Sequence, residues 1–336
     1  MNFLSIIITS VVIFFLLHFG KFIFIPLFFS LFFYVILNSI SNNLINVSNK
    51  INVHINEFSS HFLLFSFFIF FVYFFYKILK ANISNVIQNI ELYQDNLNQL
   101  LFYFSKTPLN NFFNELIVKE NVNLMNIFSY LLNMVTNFAG NFSMIIFLLI
   151  FLVIEKKFLK LKIGKIIKNK KKLKVFSNIN EDIYNYFRIK AFTSFLTGIF
   201  TFIILILFNN DLAFTFGIFS FFLNFIPYIG SLISILLPVI FSIVENLNFI
   251  NSIIIFTLLF LNHIFIGNFL ENKLMGKALN ISPIVLLIFL SIMGKLWGIS
   301  GMFLSVPIIV VLIIVLKNFK QTKNIAILLS EKGNLK

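Results

Sequence analysis

The residues of this chain that could do chemistry are few, and most stand where a long apolar run is broken. In Asn224-Phe-Ile-Pro227-Tyr228-Ile-Gly230, followed by Ser231, Ser234 and Pro238, a proline frees a backbone carbonyl beside amide, phenol and hydroxyl groups. Lipid cannot hydrogen-bond such a break, so protein or a cavity must shield it. Two arrangements fit: a re-entrant turn lining a pathway, or a kinked helix with small residues at a packing seam. In Gly267-Asn268-Phe-Leu-Glu271-Asn272-Lys273-Leu-Met-Gly276 a carboxylate closes an apolar run beside two amides. That set can bind a cation, take up a proton, or simply pair with Lys273. Pro283, Gly294, Gly298, Gly301 and Pro307 punctuate a third run, where a sharp Gly-rich turn between two apolar arms is expected. Lys295 and Trp297, the single Trp, suit a membrane–water boundary. His263 stands mid-run beside Asn262. A neutral imidazole hydrogen-bonded to a neighbouring helix is expected there, because a charge at mid-membrane costs about 2.5–3.5 kcal/mol or more.

Several catalytic patterns are missing from the sequence. There is no His-Glu-x-x-His pair, no Gly-rich phosphate loop ending in Lys-Ser/Thr, and no pair of carboxylates within one apolar run. With no cysteine, disulfides, thiol chemistry and Cys-ligated metal are excluded. No catalytic residue, metal site or cofactor is expected, and the chain reads as a non-enzyme without an ATP motor of its own.

The elements that position these residues are membrane helices. The 336 residues are 59% hydrophobic and 11% charged, against about 45–50% apolar and about 25% charged in soluble domains. The expected fold is all-α: a polytopic transmembrane bundle of about eight spans plus re-entrant hairpins. Apolar runs of spanning length lie near 3–19, 22–39, 60–79, 137–155, 190–208 and 252–270, while 212–244 and 282–316 can each pass twice or re-enter. The run Phe3–Phe19 has no basic leader or small-residue cleavage site, and reads as one arm of a hairpin with 22–39. Lys, Asn, Ile and Phe are inflated at the expense of Ala, Gly and Arg, the pattern AT-rich codon usage produces. The 12 Gly and 6 Pro that remain are therefore telling, and eight of those Gly and four of those Pro fall from Gly198 to Pro307.

The net charge of +14 comes largely from one loop, since 156–190 holds twelve of the 26 basic residues. This is an orientation signal rather than a nucleic-acid footprint, and no nucleic-acid partner is expected. It places the amino terminus, 40–59, 156–190, Glu271–Lys277 and the tail from Lys317 in the cytoplasm. Region 81–136 and Asn209–Asp211 fall outside, with Lys77 and Lys80 as exceptions. Region 81–136 carries Ile83, Val86, Ile87, Ile90, Leu97, Leu100 and Phe104 at helical spacing. It reads either as a helix in the interface plane or as a helix packed on oligomer neighbours, and Thr107-Pro108 reads as the start of a second helix. The basic segment reads as a membrane helix extended into the cytoplasm with a solvated face touching anionic headgroups. The chain divides into an N-terminal hairpin and third span (1–80), the external region (81–136), a transport core (137–320) containing the basic segment 156–190, and a cytoplasmic tail (321–336).

The ordered set Tyr186-x-x-x-Lys190, Gly198, Asn224-Phe-Ile-Pro-Tyr-Ile-Gly230, Pro238, Gly267-Asn268-x-x-Glu271, Gly276, Pro283, Gly294, Gly298-Ile-x-Gly301-Met and Val306-Pro307 resembles the autoinducer-2 exporter family of bacterial membrane transporters. The similarity covers about 180–316. It implies an inner-membrane permease in the lipid bilayer, assembled as a homo-oligomer and exporting a small solute or ion without ATP. Members are credited with autoinducer-2 export or with sodium/proton antiport. A membrane scaffold acting through 81–136 and 156–190 is the alternative from another class. The family commonly has Pro directly after the acid matching Glu271, where this chain has Asn272.

Overall fold

The structure, a computed structural model, describes residues 12, 15–52, 56–106, 123–166, 170–275, 281–319, 321–331 and 333. Among them there is helix and no strand. The helices are α1 (Lys21–Lys50), α2 (Glu57–Gln88), α3 (Ile90–Ser105), α4 (Leu124–Ile166), α5 (Lys170–Leu207), α6 (Ala213–Leu223), α7 (Ile229–Asn246), α8 (Phe249–His263), α9 (Glu271–Met275), α10 (Pro283–Lys317) and α11 (Lys323–Leu329). A π-helical stretch, Ile264–Leu270, joins α8 to α9. Local chemistry sets several ends. Asn248 caps α8 by accepting the Asn251 amide at 3.1 Å. Pro283 stands in the first turn of α10, where its missing N–H costs nothing. Leu247 ends α7 in the left-handed region, at φ 52°.

Six helical stretches among the described residues are long and apolar enough to cross a membrane: Lys21–Lys50, Glu57–Gln88, Glu181–Leu207, Ile229–Asn246, Phe249–Met275 and Pro283–Lys317. The protein is a polytopic helical membrane protein, with six such helices here against the eight expected. The run expected at 137–155 lies within α4. The span expected at 3–19 is described only at 12 and 15–19, and the helix start expected at Thr107-Pro108 lies outside the described residues.

The chain forms two compact units. The first comprises Met1–Ile69, Asn141–Phe192 and Glu271–Lys336. Aromatic contacts hold it: Phe32 meets Phe187 at 5.2 Å and Phe303 at 5.7 Å, and Phe33 meets Phe68 at 4.9 Å. In lipid, where tails are as apolar as leucine, such close packing carries the association that water drives elsewhere. Helix α11 packs on α10, and the Ser282 amide donates to the Leu329 carbonyl at 3.0 Å.

The second unit comprises Phe70–Gly140 and Thr193–Leu270. Its core gathers Ile83, Val86, Tyr93 and Leu100 with Leu205, Leu212, Phe216, Phe241, Val244, Ile255 and Leu259. The described part of 81–136 therefore turns Ile83, Val86, Tyr93 and Leu100 into the core of its own unit.

Candidate functional site

In the second unit, α6 and α7 pack side by side as a hairpin whose tip is Asn224–Tyr228. The chain reverses within the apolar run, so this is a turn and not a kinked continuous helix. Eleven residues give α6 a length of about 16 Å, roughly half of a hydrocarbon core of about 30 Å. At the tip Tyr228 adopts φ 59°, ψ −61°, a conformation rare for a side chain of its size. Gly230 makes the turn possible, since a Cβ there would lie 1.8 Å from the Leu223 carbonyl oxygen. Asn224 donates its amide to Ser194 Oγ on α5 at 3.0 Å. Ser234 Oγ donates to the Ser231 carbonyl at 2.9 Å, which leaves its lone pairs to accept His263 Nε2–H at 2.7 Å. His263 thus joins α8 to α7 through the hydrogen bond to a neighbouring helix that was expected of it.

A stripe of small polar residues on α5 backs this tip. Thr193, Ser194, Thr197 and Thr201 are fully buried. Asn262 donates to the Thr197 carbonyl at 3.3 Å and to Thr201 Oγ1 at 3.4 Å. Helices α5 and α6 approach so closely that a Cβ on Gly198 would sit 2.7 Å from the Gly217 carbonyl oxygen. Ser220 Oγ on α6 is buried without a hydrogen-bond partner. Sequence reasoning passed over this stripe, although Ser/Thr at 193, 197 and 201 is a helical spacing that places three hydroxyls on one face. The open end of the hairpin is knitted by polar groups. Glu245 accepts the Asp211 amide at 2.7 Å and the Asn210 side-chain amide at 3.0 Å, Asn96 donates to the Val244 carbonyl at 2.9 Å, and Tyr93 donates its hydroxyl to Asp211. Burial, then the bond to Asp211, pushes the Tyr93 phenol well above its ordinary pKa.

In the first unit, α10 is a second hairpin. Its backbone leaves the helix at Gly298, with φ 61° and ψ −142°. A Cβ on Gly301 would lie 2.0 Å from the Met293 carbonyl oxygen, whereas eight residues of straight helix are about 12 Å apart. The arms 283–297 and 299–317 therefore double back, as the glycine spacing led one to expect. Trp297 is buried, donates Nε1–H to the Leu17 carbonyl at 2.9 Å, and meets Phe28 at a tilt, with ring centroids 5.6 Å apart. Pro307 is buried in the second arm and Pro283 is exposed at the start of the first.

Also in the first unit, Lys190 Nζ meets both carboxylate oxygens of Glu271, at 2.7 and 2.9 Å. The two side chains are only 11% and 12% exposed, so the pair is largely out of water. Lys190, on α5, reaches both carboxylate oxygens from a different helix, a partner that the local spacing to Lys273 does not suggest. Tyr186, one turn earlier on α5, is buried beside Glu271 with its hydroxyl unpartnered. Asn268 is exposed on the π-helical stretch. Among the described residues no three His, Asp or Glu side chains converge as metal ligands.

The AI-2E family transporter profile matches residues 4–321. The chain belongs to that family. It is 35% identical over 203 residues to a putative transport protein of Borreliella burgdorferi, covering 59% of this chain and 56% of that one. It is 29% identical over 227 residues to a putative transport protein of Haemophilus influenzae, covering 65% of each. It is 32% identical over 151 residues to the AI-2 transport protein TqsA of Escherichia coli K12, covering 45% of this chain and 44% of that one. The chain thus spans less than two thirds of the length of each of these relatives.

Proposed function

We propose that the protein is a secondary transporter of the bacterial inner membrane that exports a small solute or ion without ATP, working as a homo-oligomer. Its amino terminus, segment 156–190 and tail lie in the cytoplasm, a reading supported by the lysine-rich segment. The observation that carries the function is the reversal of the chain within apolar runs at Asn224–Tyr228 and at Gly298. Interrupted apolar segments are where transporters of this kind place their sites. The candidates for contact with the moving solute are Asn224, Pro227, Tyr228 and Gly230 in one hairpin, Pro283, Gly294, Gly298, Gly301 and Pro307 in the other, and Asn268 and Glu271 near the π-helical stretch.

The test is flux in sealed vesicles holding the purified full chain, with and without an imposed proton or sodium gradient. The panel takes in Na⁺, H⁺, autoinducer-2, which the name of one relative suggests, and indole-like solutes. Gradient-driven flux that disappears in Gly230→Leu, with insertion intact, supports the reading. Cation-coupled proton movement alone would favour antiport. Silence in every arm with intact insertion would favour the scaffold.

A further inference from the structure

In the second unit, the end of α2 and the connection from α5 to α6 border a cavity of about 360 Å³, lined by Asn82, Asn85, Val86, Gln88, Asn89 and Asp211. Residues 82, 85, 86 and 89 recur at helical spacing and so share one face. Asp211 meets them from the other segment, and three of its groups are already held. Its carbonyl accepts Asn82 Nδ2–H at 2.8 Å, its amide donates to Glu245 at 2.7 Å, and its Oδ2 accepts the Tyr93 hydroxyl. Asn82 is held in turn, since its Oδ1 accepts the Thr215 hydroxyl at 2.7 Å. Among the described residues Asp211 Oδ1 accepts no hydrogen bond, and the side chains of Asn85, Gln88 and Asn89 make none. We propose that this cavity binds a small organic ammonium ion, which donates its N–H groups to Asp211 Oδ1 and to the carboxamide oxygens of Asn85 and Asn89 and lays its carbon stem over Val86. Such binding is independent of the transporter reading, because none of these residues is among its candidates for solute contact.

Charge and size decide the class of ligand. The lining holds one carboxylate and no basic side chain. Glu245, which takes the Asp211 amide, sets a second carboxylate behind the first. Neither acid is in an ion pair among the described residues. A cleft lined by charge of one sign draws in the opposite sign. Anions are therefore repelled, and a neutral solute would leave the negative charge uncompensated. Carboxamides can turn their oxygens inward, which adds acceptors for N–H donors without adding charge. A bare inorganic ion suits the cavity poorly. A calcium ion takes about 6–8 oxygens at about 2.3–2.6 Å, whereas the free acceptors here are one carboxylate oxygen and three carboxamides around a much larger space. The volume falls instead within the range of organic ligand sites, about 300–1,000 Å³. An ammonium forms short, charge-assisted bonds to a carboxylate. Buried Val86 supplies the one apolar surface, which an alkyl stem can cover while its charged head meets the acid. Because Asp211 is held before the ligand arrives, little of the binding energy goes into ordering it.

The experiment is calorimetric titration of the purified full chain in nanodiscs of zwitterionic lipid, at low ionic strength so that salt does not screen the acid. The probes are ethylammonium, ethanolamine and putrescine. The controls are tetramethylammonium, which has the charge without N–H donors, together with sodium chloride, calcium chloride, acetate and erythritol. At least one probe should bind saturably, with Kd about millimolar or tighter, and about tenfold or more tighter than any control. Asp211→Asn keeps an acceptor for the Tyr93 hydroxyl and removes the charge. It should weaken that binding about tenfold or more, while the melting temperature holds. Asn85→Trp brings a large ring into the cavity from an exposed position. It should fold with an unchanged melting temperature and bind none of the probes. The proposal is overturned if no primary ammonium binds, or if Asp211→Asn or Asn85→Trp binds undiminished. It is equally overturned if a control binds as tightly: calcium or sodium would assign the cavity to a metal ion, erythritol to a polyol, and tetramethylammonium to charge alone.

Discussion

The hairpin of α6 and α7 and the hairpin within α10 each lay a glycine on a carbonyl, Gly230 on Leu223 and Gly301 on Met293. They differ in the residue that takes the positive φ. In the α10 hairpin it is Gly298, for which φ 61° is free of strain. In the α6–α7 hairpin it is Tyr228 at φ 59°, which costs of order 1–3 kcal/mol. The open ends differ too. Glu245 ties the two ends of the α6–α7 hairpin directly to each other through Asn210 and Asp211. The α10 hairpin is held at its open end by α11 and by a Lys317–Asp182 pair at 2.7 Å whose side chains are 25% and 43% exposed. Backbone strain sits in the hairpin with the tighter clamp, where surrounding bonds can hold it.

The comparison breaks most visibly at the shared feature. Gly230→Ala and Gly301→Ala each push a methyl into backbone, which cannot step aside as a side chain would. Each should lose about 3 kcal/mol or more, read by thermal unfolding of the purified chain. If one is tolerated, the two tips are not equivalent. The next effect separates them: Gly298→Ala should cost about 1–3 kcal/mol, while Tyr228→Gly, trading strain for a floppier unfolded chain, should stay within about 1 kcal/mol of the parent. A large loss in Tyr228→Gly would mean its side chain, and not its backbone, matters. The clamps come third. Glu245→Ala should cost about 1–3 kcal/mol by leaving donors unpaired, against less than about 1 kcal/mol for Lys317→Ala, whose pair is partly exposed. Equal losses would erase the contrast.

The smallest effect is a pH dependence. The Tyr93 pKa is raised in the folded chain, so its contribution is fully present below the unfolded value of about 10 and is lost as pH rises above it. Tyr93→Phe should flatten stability against pH in that alkaline range. An unchanged slope would remove Tyr93 from the clamp.

Much of this fold can be read directly from the residues. Unbroken apolar runs announce the long helices, and Pro227 with Gly230, like Gly298 with Gly301, marks the two reversals, since a Cβ at 230 or 301 would strike a backbone carbonyl and 298 takes a positive φ. The partners across sequence are not readable that way. Glu271 has Lys273 two positions away and Lys190 on a different helix, and periodicity ranks the near one first. Only packing brings α5 to the carboxylate. The Trp297 partner is hidden for a related reason: the carbonyl of Leu17 that receives its N–H belongs to a distant part of the chain. The apolar face of 81–136 was plain, and its destination was not, since a stripe of Ile, Val and Leu fits lipid, a neighbour or its own core equally well.

The Lys190–Glu271 pair also has an electrical consequence. A full charge moved through the membrane field does work of about 2.3 kcal/mol per 100 mV. The closed pair carries no net charge, so moving both side chains together through that field does no net electrical work.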